Sequence, residues 1–250
     1  MTTQADQFPA EFVLATKLYM PPPRPDLINR PHLVAKLQAS FQQSLTVLCA
    51  PAGFGKSTLL GEWAHHQSAP VVWFSLDESD NEPAQFMRYL IAAIQTRHPE
   101  FGQEMLAALQ SEQPPPQSLF PPLLNAIHAL PERFSLVLDD YHLIENQPIH
   151  SALTFLLLHM PATLHLIISS RADPPFPLAR LRAQGQLCEL RVTDLRFTHQ
   201  EIISFFQQRE IDSVSHEQLT ILEQRTEGWA AGLQLAALSV AGRDPQEIDQ

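Results

Sequence analysis

Short apolar runs alternate with segments of helical spacing along the first 195 residues of the chain. The apolar runs predict buried strands at residues 44–50, 70–76, 134–140, 163–171 and 187–192. Apolar residues three and four positions apart, or apolar runs of helical length, predict helices at residues 31–41, 57–67, 82–98, 123–130 and 149–160. Strands that alternate with helices in this way predict an α/β fold, with a parallel sheet flanked by helices on both faces.

The pattern changes to helix alone near residue 196. Thr198 and Glu201 have the spacing of a capping box, which predicts the start of a helix. Residues 219–240 continue with helical spacing that is interrupted near Gly228, and no strand-like run follows. We therefore expect a second, helical domain to begin here.

The segment ahead of the first helix, residues 16–31, is rich in proline. Prolines impose an extended path on this stretch, and they stand at positions 21, 22, 23 and 25. A ligand for a proline-reading module is one interpretation. We favour an ordered strap that leads into the domain, because Leu18, Tyr19 and Leu27 supply apolar anchors.

The turn between the first strand and the second helix, APAGFGKST, carries a phosphate-loop pattern. Gly55, Lys56 and Ser57 match the pattern, whereas Ala50 stands where the first glycine is usual. Glycines let backbone N–H groups point at phosphate oxygens, and the following helix presents its positive end to the same anions. We expect Lys56 to reach the β- and γ-phosphates and Ser57 to bind Mg²⁺. The residues expected to contact nucleotide here are Pro51, Ala52, Gly53, Phe54, Gly55, Lys56, Ser57 and Thr58.

Charged residues end two further strands. Asp139 is placed to hold Mg²⁺ through water, and Asp140 to orient or activate an attacking water. The alternative is an aspartate pair that caps a turn. Arg171 is expected to contact the γ-phosphate, unless it is a surface arginine paired with Asp173. Ligands of parallel sheets bind beyond the carboxyl ends of the strands, so we expect these groups to share one edge with the phosphate loop.

Composition and residue spacing limit the partners, the compartment and the metal sites that we expect. A net charge of −11 disfavours broad electrostatic contact with DNA or RNA. The distant thiols of Cys49 and Cys188 indicate buried small side chains in a reducing compartment. No signal-peptide pattern or apolar run of about 18 residues is present, so we expect a cytoplasmic protein without membrane contact. The histidines lack zinc-site spacing, so we expect them to be solvated or packed in the core.

Taken together, these segments resemble the ATPase module of MalT-type regulators. This group belongs to the LuxR-family transcriptional regulators and to the signal-transduction ATPases with numerous domains (STAND). The resemblance covers residues 14–241 and rests on the segments TKLYMPPPRPDLINRP, APAGFGKST, LVLDDYHLI, LIISSR, LRFT and TEGWAAGLQLAAL. It implies ATP or ADP with Mg²⁺ as ligands, an inactive monomeric ADP state, a self-associating ATP state, and slow hydrolysis that resets the switch.

The resemblance also implies roles for single residues and a domain division. It supports catalytic roles for Lys56, Asp140 and Arg171, and it implies that Lys17 and Arg30 border the nucleotide. Alanine at position 50 is common in the family's form of the loop. The implied division is a strap and first helix (1–40), a P-loop nucleotide-binding domain (41–195), the start of a helical, winged-helix-like lid domain (196–241), whose residues 228–233 form the lid, and a polar tail (242–250).

The sequence departs from the family pattern in one respect, and two alternative functions stay open. Regulators of this family continue with a sensor of helical repeats and a C-terminal helix-turn-helix, which are not in this sequence, so we expect no nucleic-acid contact from this chain itself. A stand-alone P-loop ATPase or kinase-type enzyme is the first alternative, although no acceptor pocket or arginine-rich lid is recognisable. A nucleotide-independent interaction module is the second, and the intact Gly55, Lys56 and Ser57 argue against it.

Overall fold

A five-stranded parallel sheet forms the centre of the protein. The computed structural model describes residues 13–22, 26–110, 116–209, 211 and 214–241. The sheet has the order β2-β3-β4-β1-β5, and all its described pairings are parallel. The strands are β1 (Leu45–Cys49), β2 (Val71–Ser75), β3 (Phe134–Asp139), β4 (Leu164–Ser170) and β5 (Leu187–Arg191). The predicted α/β fold with a parallel sheet is confirmed.

Helices cover both faces of this sheet. The described α-helices are α1 (Pro31–Ser40), α2 (Lys56–His65), α3 (Pro83–Gln95), α4 (Gln103–Gln110), α5 (Phe120–His128), α6 (Gln147–Leu158), α7 (Leu178–Ala183), α8 (Val192–Leu195), α9 (His199–Gln208), α10 (His216–Thr226) and α11 (Ala230–Ala241). None of the described helices is both long and apolar enough to cross a bilayer.

Alternate residues of the central strands pack on opposite sides. Leu136 and Leu138 belong to the core shared with α3, α5 and α6. Val137, between them, packs in the core formed with α1 and α2. Successive side chains of a strand point to opposite faces, so a strand covered on both sides is apolar throughout. This explains why the strands were recognisable as continuous apolar runs.

Three of the described α-helices were not predicted, namely α4, α7 and the four-residue α8, and α5 and α6 begin three and two residues earlier than expected. Helix α4 buries only Met105 and Leu109, which is too weak a pattern to stand out, and α7 buries only Leu181. Helix α5 begins at Phe120 rather than at residue 123, with prolines in its first turn. Proline is tolerated there because the first amides of a helix have no intrahelical acceptor.

The beginning of the strap packs against the edge strand β2. A short 3₁₀ helix, Ala15–Leu18, contacts β2. The Lys17 ammonium lies 2.7 Å from Asp80 and 2.9 Å from Asp77, and 4.4 Å from the ring centre of Tyr89. These contacts agree with an ordered strap. Pro23 and Pro25 of the strap, residues 1–12 and the expected tail (242–250) lie outside the described residues.

The short helix α8 follows β5 directly, before residue 196, and the next helix, α9, begins at the predicted capping box. Thr198 accepts a hydrogen bond from the Glu201 amide, and the Glu201 carboxylate accepts one from the Thr198 amide, which completes the capping box of α9. Helices α10 and α11 are separated by a turn in which Gly228 has a φ of +71°. Such a conformation favours glycine, because it has no Cβ. The predicted interruption near Gly228 is confirmed.

A buried histidine joins three strands near their amino-terminal ends. The His165 ring lies 2.9 Å from the Thr46 hydroxyl through Nε2 and 3.1 Å from the Ser135 hydroxyl through Nδ1. The side chain is fully buried. Burial, with a contribution from Arg133, lowers the pKa of His165 from 6.5 to about 3. His165 is therefore a neutral core residue, in line with one of the two expectations for the histidines.

This depressed pKa makes stability depend on pH. Below pH 6.5 the unfolded chain protonates His165, whereas the folded protein does so only near pH 3, so stability is lost as the pH falls through this window. Each pH unit corresponds to about 1.4 kcal/mol, which predicts a loss of about 2 kcal/mol between pH 6.5 and about pH 5. Urea unfolding should show a weaker pH dependence for His165→Gln than for wild type, but not for the exposed control His65→Gln. Equal pH dependence in all three proteins would contradict this prediction.

Candidate functional site

The phosphate loop connects β1 to α2 and owes its shape to two glycines. Gly53 and Gly55 have φ values of +79° and +76°, a region that side chains with a Cβ avoid. Ala50, by contrast, is not among the described residues with positive φ, and its amide pairs with the Ser170 carbonyl as in a continued strand. Alanine at the usual first glycine position therefore causes no strain.

Lys56 lies inside this loop. Its ammonium donates hydrogen bonds to the carbonyl oxygens of Ala50, at 2.7 Å, and Pro51, at 3.0 Å. The residue is 7% exposed. Burial lowers the pKa of Lys56, the carboxylates of Asp140 and Asp139 oppose this shift, and the Arg171 charge adds to it. The sequence-predicted lysine and its expected partners are thus close enough to interact electrostatically.

Asp139 ends β3 and faces the first turn of α2. Its carboxyl group is buried, and burial raises its pKa. The hydroxyl groups of Ser169 and Ser57 counteract this shift, although the buried Ser169 hydroxyl does not reach hydrogen-bond geometry with any described group. The structure thus brings Ser57 and Asp139, the two expected magnesium ligands, next to each other.

Asp140 has an unusual backbone. Its φ of +58° and ψ of +38° place it in the left-handed region, which aspartate and asparagine enter more readily than other non-glycine residues. Its side chain makes no capping hydrogen bond, and it is 43% exposed. The expectation that an aspartate pair merely caps a turn does not describe Asp140. Its carboxylate is free to face a ligand.

His142 lies among the candidate site residues, and the sequence interpretation did not single it out. Its Nδ1 lies 3.8 Å from the Asp140 carboxylate, and neither ring nitrogen has a hydrogen-bond partner among the described residues. Burial and the nearby charge of Arg171 lower the pKa of His142, while Asp140 opposes the shift. Its position two residues after Asp140, past the end of a buried strand, was the available signal.

Arg171 lies just past the end of β4, which the sheet order places between β1 and β3. Its side chain is exposed and has no ion pair or hydrogen bond among the described residues. Asp173, the partner proposed in the alternative interpretation, pairs with Arg191 instead. The Arg171 charge affects the pKa values of both Lys56 and His142. The structure therefore leaves Arg171 available at the same sheet edge.

A cavity of about 380 Å³ adjoins the phosphate loop. Its walls come from three segments that are far apart in sequence: the strap, the loop with α2, and the helical region after β5. Representative lining residues are Leu27, Ile28, Gly55, Thr58, Phe197 and Phe205. The mixture of apolar walls and loop backbone is typical of a small-molecule site.

Arg30 lines this cavity but directs its guanidinium to the protein. It donates hydrogen bonds to the carbonyl oxygens of Leu195, at 2.8 Å, and Arg196, at 2.6 Å, and to the Glu201 carboxylate, at 2.9 Å. It therefore joins the start of α1 to the helical region. Direct contact of Arg30 with a nucleotide stays a prediction. Lys17, also placed near the nucleotide by the resemblance, does not line this cavity.

Helix α11 and the turn before it contact the phosphate loop directly. The Trp229 indole N–H donates to the Ala52 carbonyl at 2.9 Å, and the Ala231 amide donates to the Gly53 carbonyl at 3.0 Å. The segment expected to form a lid is thus seated on the loop. The carbonyl groups of the loop therefore accept hydrogen bonds from this segment as well as from Lys56.

The chain is similar in sequence to curated proteins described as HTH-type transcriptional regulator MalT. It is 40% identical over 228 residues to the protein of Serratia proteamaculans (strain 568), an alignment that covers 91% of this chain and 25% of the relative. It is also 40% identical over 239 residues to the protein of Yersinia enterocolitica (serotype O:8 / biotype 1B), an alignment that covers 95% of this chain and 26% of the relative. The chain therefore spans about a quarter of the length of the curated relatives it matches. No family model matches it.

Solved structures share the fold. A STAND protein with a tetratricopeptide repeat sensor from Pyrococcus horikoshii aligns with a TM-score of 0.60 and 16% identity, over 87% of this chain and 31% of that chain. The Walker-type ATPase of Pyrococcus abyssi aligns with a TM-score of 0.57 and 15% identity, over 91% and 72%. At these identities the likeness concerns the fold alone, which is that of P-loop ATPases.

Proposed function

We propose that this chain is an ATP-binding switch module. More than nine-tenths of its length aligns with MalT regulators, and the aligned part is about one quarter of the length of each of them. The module binds Mg-ATP and Mg-ADP at the phosphate loop and hydrolyses ATP slowly. One observation carries this proposal: Lys56, Asp139, Asp140 and Arg171 share one edge of a P-loop ATPase sheet. By relationship to the regulators, the ATP form self-associates and the ADP form is the resting state.

Phosphate binding is assigned to Lys56 and to the loop backbone. The Lys56 ammonium now donates to two neutral carbonyl oxygens, and hydrogen bonds to ionised phosphate oxygens are stronger than these. The first amides of α2 have no intrahelical acceptor and carry the positive end of the helix dipole. Both features favour a polyanion at this position.

The donor set near the loop fits Mg²⁺. Magnesium prefers oxygen ligands and is usually held by one or two protein groups together with substrate phosphates and water. The Ser57 hydroxyl and the Asp139 carboxylate supply oxygens of this kind side by side. A bound Mg²⁺ neutralises phosphate charge as it develops. The raised pKa of Asp139 means that a cation there also offsets the cost of burying the carboxylate.

Hydrolysis is assigned to the groups beyond β3 and β4. The exposed Asp140 carboxylate accepts a proton from, or orients, the attacking water. The unpaired Arg171 guanidinium contacts the γ-phosphate and so distinguishes ATP from ADP. His142, with two free ring nitrogens near Asp140, completes the hydrogen bonding around the water. The backbone strain at Asp140 agrees with a functional position, because such strain concentrates at active sites.

Thermal unfolding tests nucleotide binding directly. A ligand at 100 times its dissociation constant adds about 2.7 kcal/mol to the stability of the folded state, or roughly 5–10 °C for a chain of this size. We expect a shift of that order with Mg-ATP or Mg-ADP and a smaller one with Mg-GDP. A larger shift with ADP than with ATP indicates a resting-state switch. No shift with any nucleotide at millimolar concentration would favour the interaction-module alternative.

A further inference from the structure

The turn before α11 and its first residues hold two consecutive carbonyl groups of the phosphate loop. The Trp229 indole N–H donates to the oxygen of Ala52, at 2.9 Å. The Ala231 amide donates to the oxygen of Gly53, at 3.0 Å. These two peptides lie in the part of the loop that precedes Lys56. The helical region thus contacts the backbone that is proposed to bind phosphate.

These contacts orient the N–H groups of the loop. In a planar trans peptide, the N–H group points opposite to the carbonyl group of the preceding residue. The carbonyls of Ala52 and Gly53 point toward the helical region, so the N–H groups of Gly53 and Phe54 point away from it. Neither N–H has a hydrogen-bond acceptor among the residues that the structure describes. They are therefore unpaired donors held in a fixed direction.

The approach of the two segments is close enough to require glycine at position 53. A Cβ built on Gly53 would lie 2.6 Å from the Trp229 indole nitrogen and 2.6 Å from the Ala231 Cβ. A Cβ built on Gly55, which has a similar positive φ, would meet nothing within 4 Å. The tight contact is thus specific to the peptides that Trp229 and Ala231 hold.

The indole itself is held in place by the turn that carries it. The Trp229 amide donates to the Thr226 carbonyl at 2.9 Å, and the Gly228 carbonyl accepts from the Phe197 amide at 2.9 Å. The Trp229 ring packs against Gly232, where a Cβ would lie 2.7 Å from the ring. The position of the indole N–H is therefore set by the helical region and not by the loop.

We propose that Trp229 is a positioning residue for nucleotide binding. With the Ala231 amide, it keeps the Gly53 and Phe54 N–H groups turned toward the phosphates, so docking of the helical region and affinity for phosphate are coupled. The coupling is reciprocal, and bound nucleotide strengthens docking by the same factor. This inference rests on the proposed nucleotide site. It differs from a direct contact of the indole with the base, since Trp229 acts through the loop.

The test compares Trp229→Phe with Trp73→Phe. Each substitution removes one indole hydrogen bond and keeps an aromatic ring, but the Trp73 indole donates to the Ser75 hydroxyl within β2 and not to a carbonyl of the loop. Loss of one such bond predicts an Mg-ADP dissociation constant about 3- to 10-fold higher for Trp229→Phe. Inorganic tripolyphosphate, which has no base, should lose affinity by the same factor in competition. Trp73→Phe should leave both affinities unchanged.

Amide hydrogen exchange provides a readout that needs no nucleotide. Ala231 lies in the first turn of α11, where amides have no intrahelical acceptor, so its protection reports the bond to Gly53. Exchange at Ala231 should accelerate about 3- to 10-fold in Trp229→Phe and not in Trp73→Phe. Unchanged affinity and exchange in Trp229→Phe would overturn the inference, as would a loss seen with Mg-ADP but not with tripolyphosphate. Wild type that binds no nucleotide would instead disprove the proposed function.

Discussion

Lys56→Met is expected to remove almost all of the stabilisation that nucleotide gives the wild type. Removing one partner of a buried charge contact costs about 3 kcal/mol, or roughly a hundredfold in dissociation constant. A nucleotide concentration that is 100 times the wild-type dissociation constant is then only equal to the dissociation constant of the variant. The added stability falls from about 2.7 to about 0.4 kcal/mol, and the thermal shift falls to about 1 °C.

The same substitution should leave the nucleotide-free fold intact. Burial lowers the pKa of Lys56, so the folded protein disfavours its charge, and methionine fills a similar volume without that charge. Lys36→Met is the matched control, because Lys36 makes a half-exposed ion pair with Asp194 and carries the same charge. Thermal unfolding with and without Mg-ADP measures both variants. A full nucleotide shift in Lys56→Met would disprove the assignment of the phosphate site.

Asp140→Asn should slow hydrolysis at least about a hundredfold while preserving binding. A positioned general base contributes about a hundredfold to ten-thousandfold to the rate, so the single-turnover rate of ATP hydrolysis should fall by that factor. Asparagine adopts the left-handed backbone of this position about as readily as aspartate, so the loop geometry is retained. The dissociation constant for Mg-ADP should stay within about twofold of wild type, as expected for a group that acts on the water.

Two further variants separate the roles of the carboxylates. Asp173→Asn makes the same change in charge near the end of β4, but Asp173 pairs with Arg191, so hydrolysis should be unaffected. Asp139→Asn should weaken binding only when Mg²⁺ is present, because its carboxylate lies beside Ser57. If Asp140→Asn still hydrolyses ATP at the wild-type rate, the activation of water belongs to another group at this edge.

Arg30 illustrates a role that sequence reasoning could not assign. The resemblance placed it beside the nucleotide, and the structure does place it on the cavity wall. Its hydrogen bonds, however, go to Leu195, Arg196 and Glu201, which are more than 160 positions away in the chain. The same charged residue appears in the sequence motif whether its side chain binds a ligand or joins two segments of the fold. Only the position of its partners distinguishes these roles.

His142 was missed for a related reason. A histidine close to a strand end is common, and its spacing to other histidines excluded a zinc site without suggesting any other role. Its significance comes from two facts that need coordinates: its ring nitrogens are buried without partners, and its neighbours are Asp140 and Arg171. The second of these neighbours follows a different strand.

The sequence by itself determined the strands, the phosphate loop and the charged residues at or just past the ends of β3 and β4. These features depend on local patterns: apolar runs buried on both faces, glycines where φ is positive, and a lysine at the start of a helix. The prediction that the carboxyl ends of the strands share one edge also needed only the βα alternation.

The tertiary structure decided which groups meet at that edge and what closes over it. The sheet order inserts β4 between β1 and β3, so Arg171 follows the strand that lies between the one leading into the loop and the one ending in Asp139. Trp229 reaches the loop across 177 positions of the chain. Contacts at such separations depend on how whole elements pack, and local hydrophobic periodicity carries no information about the partner that a given side chain will find.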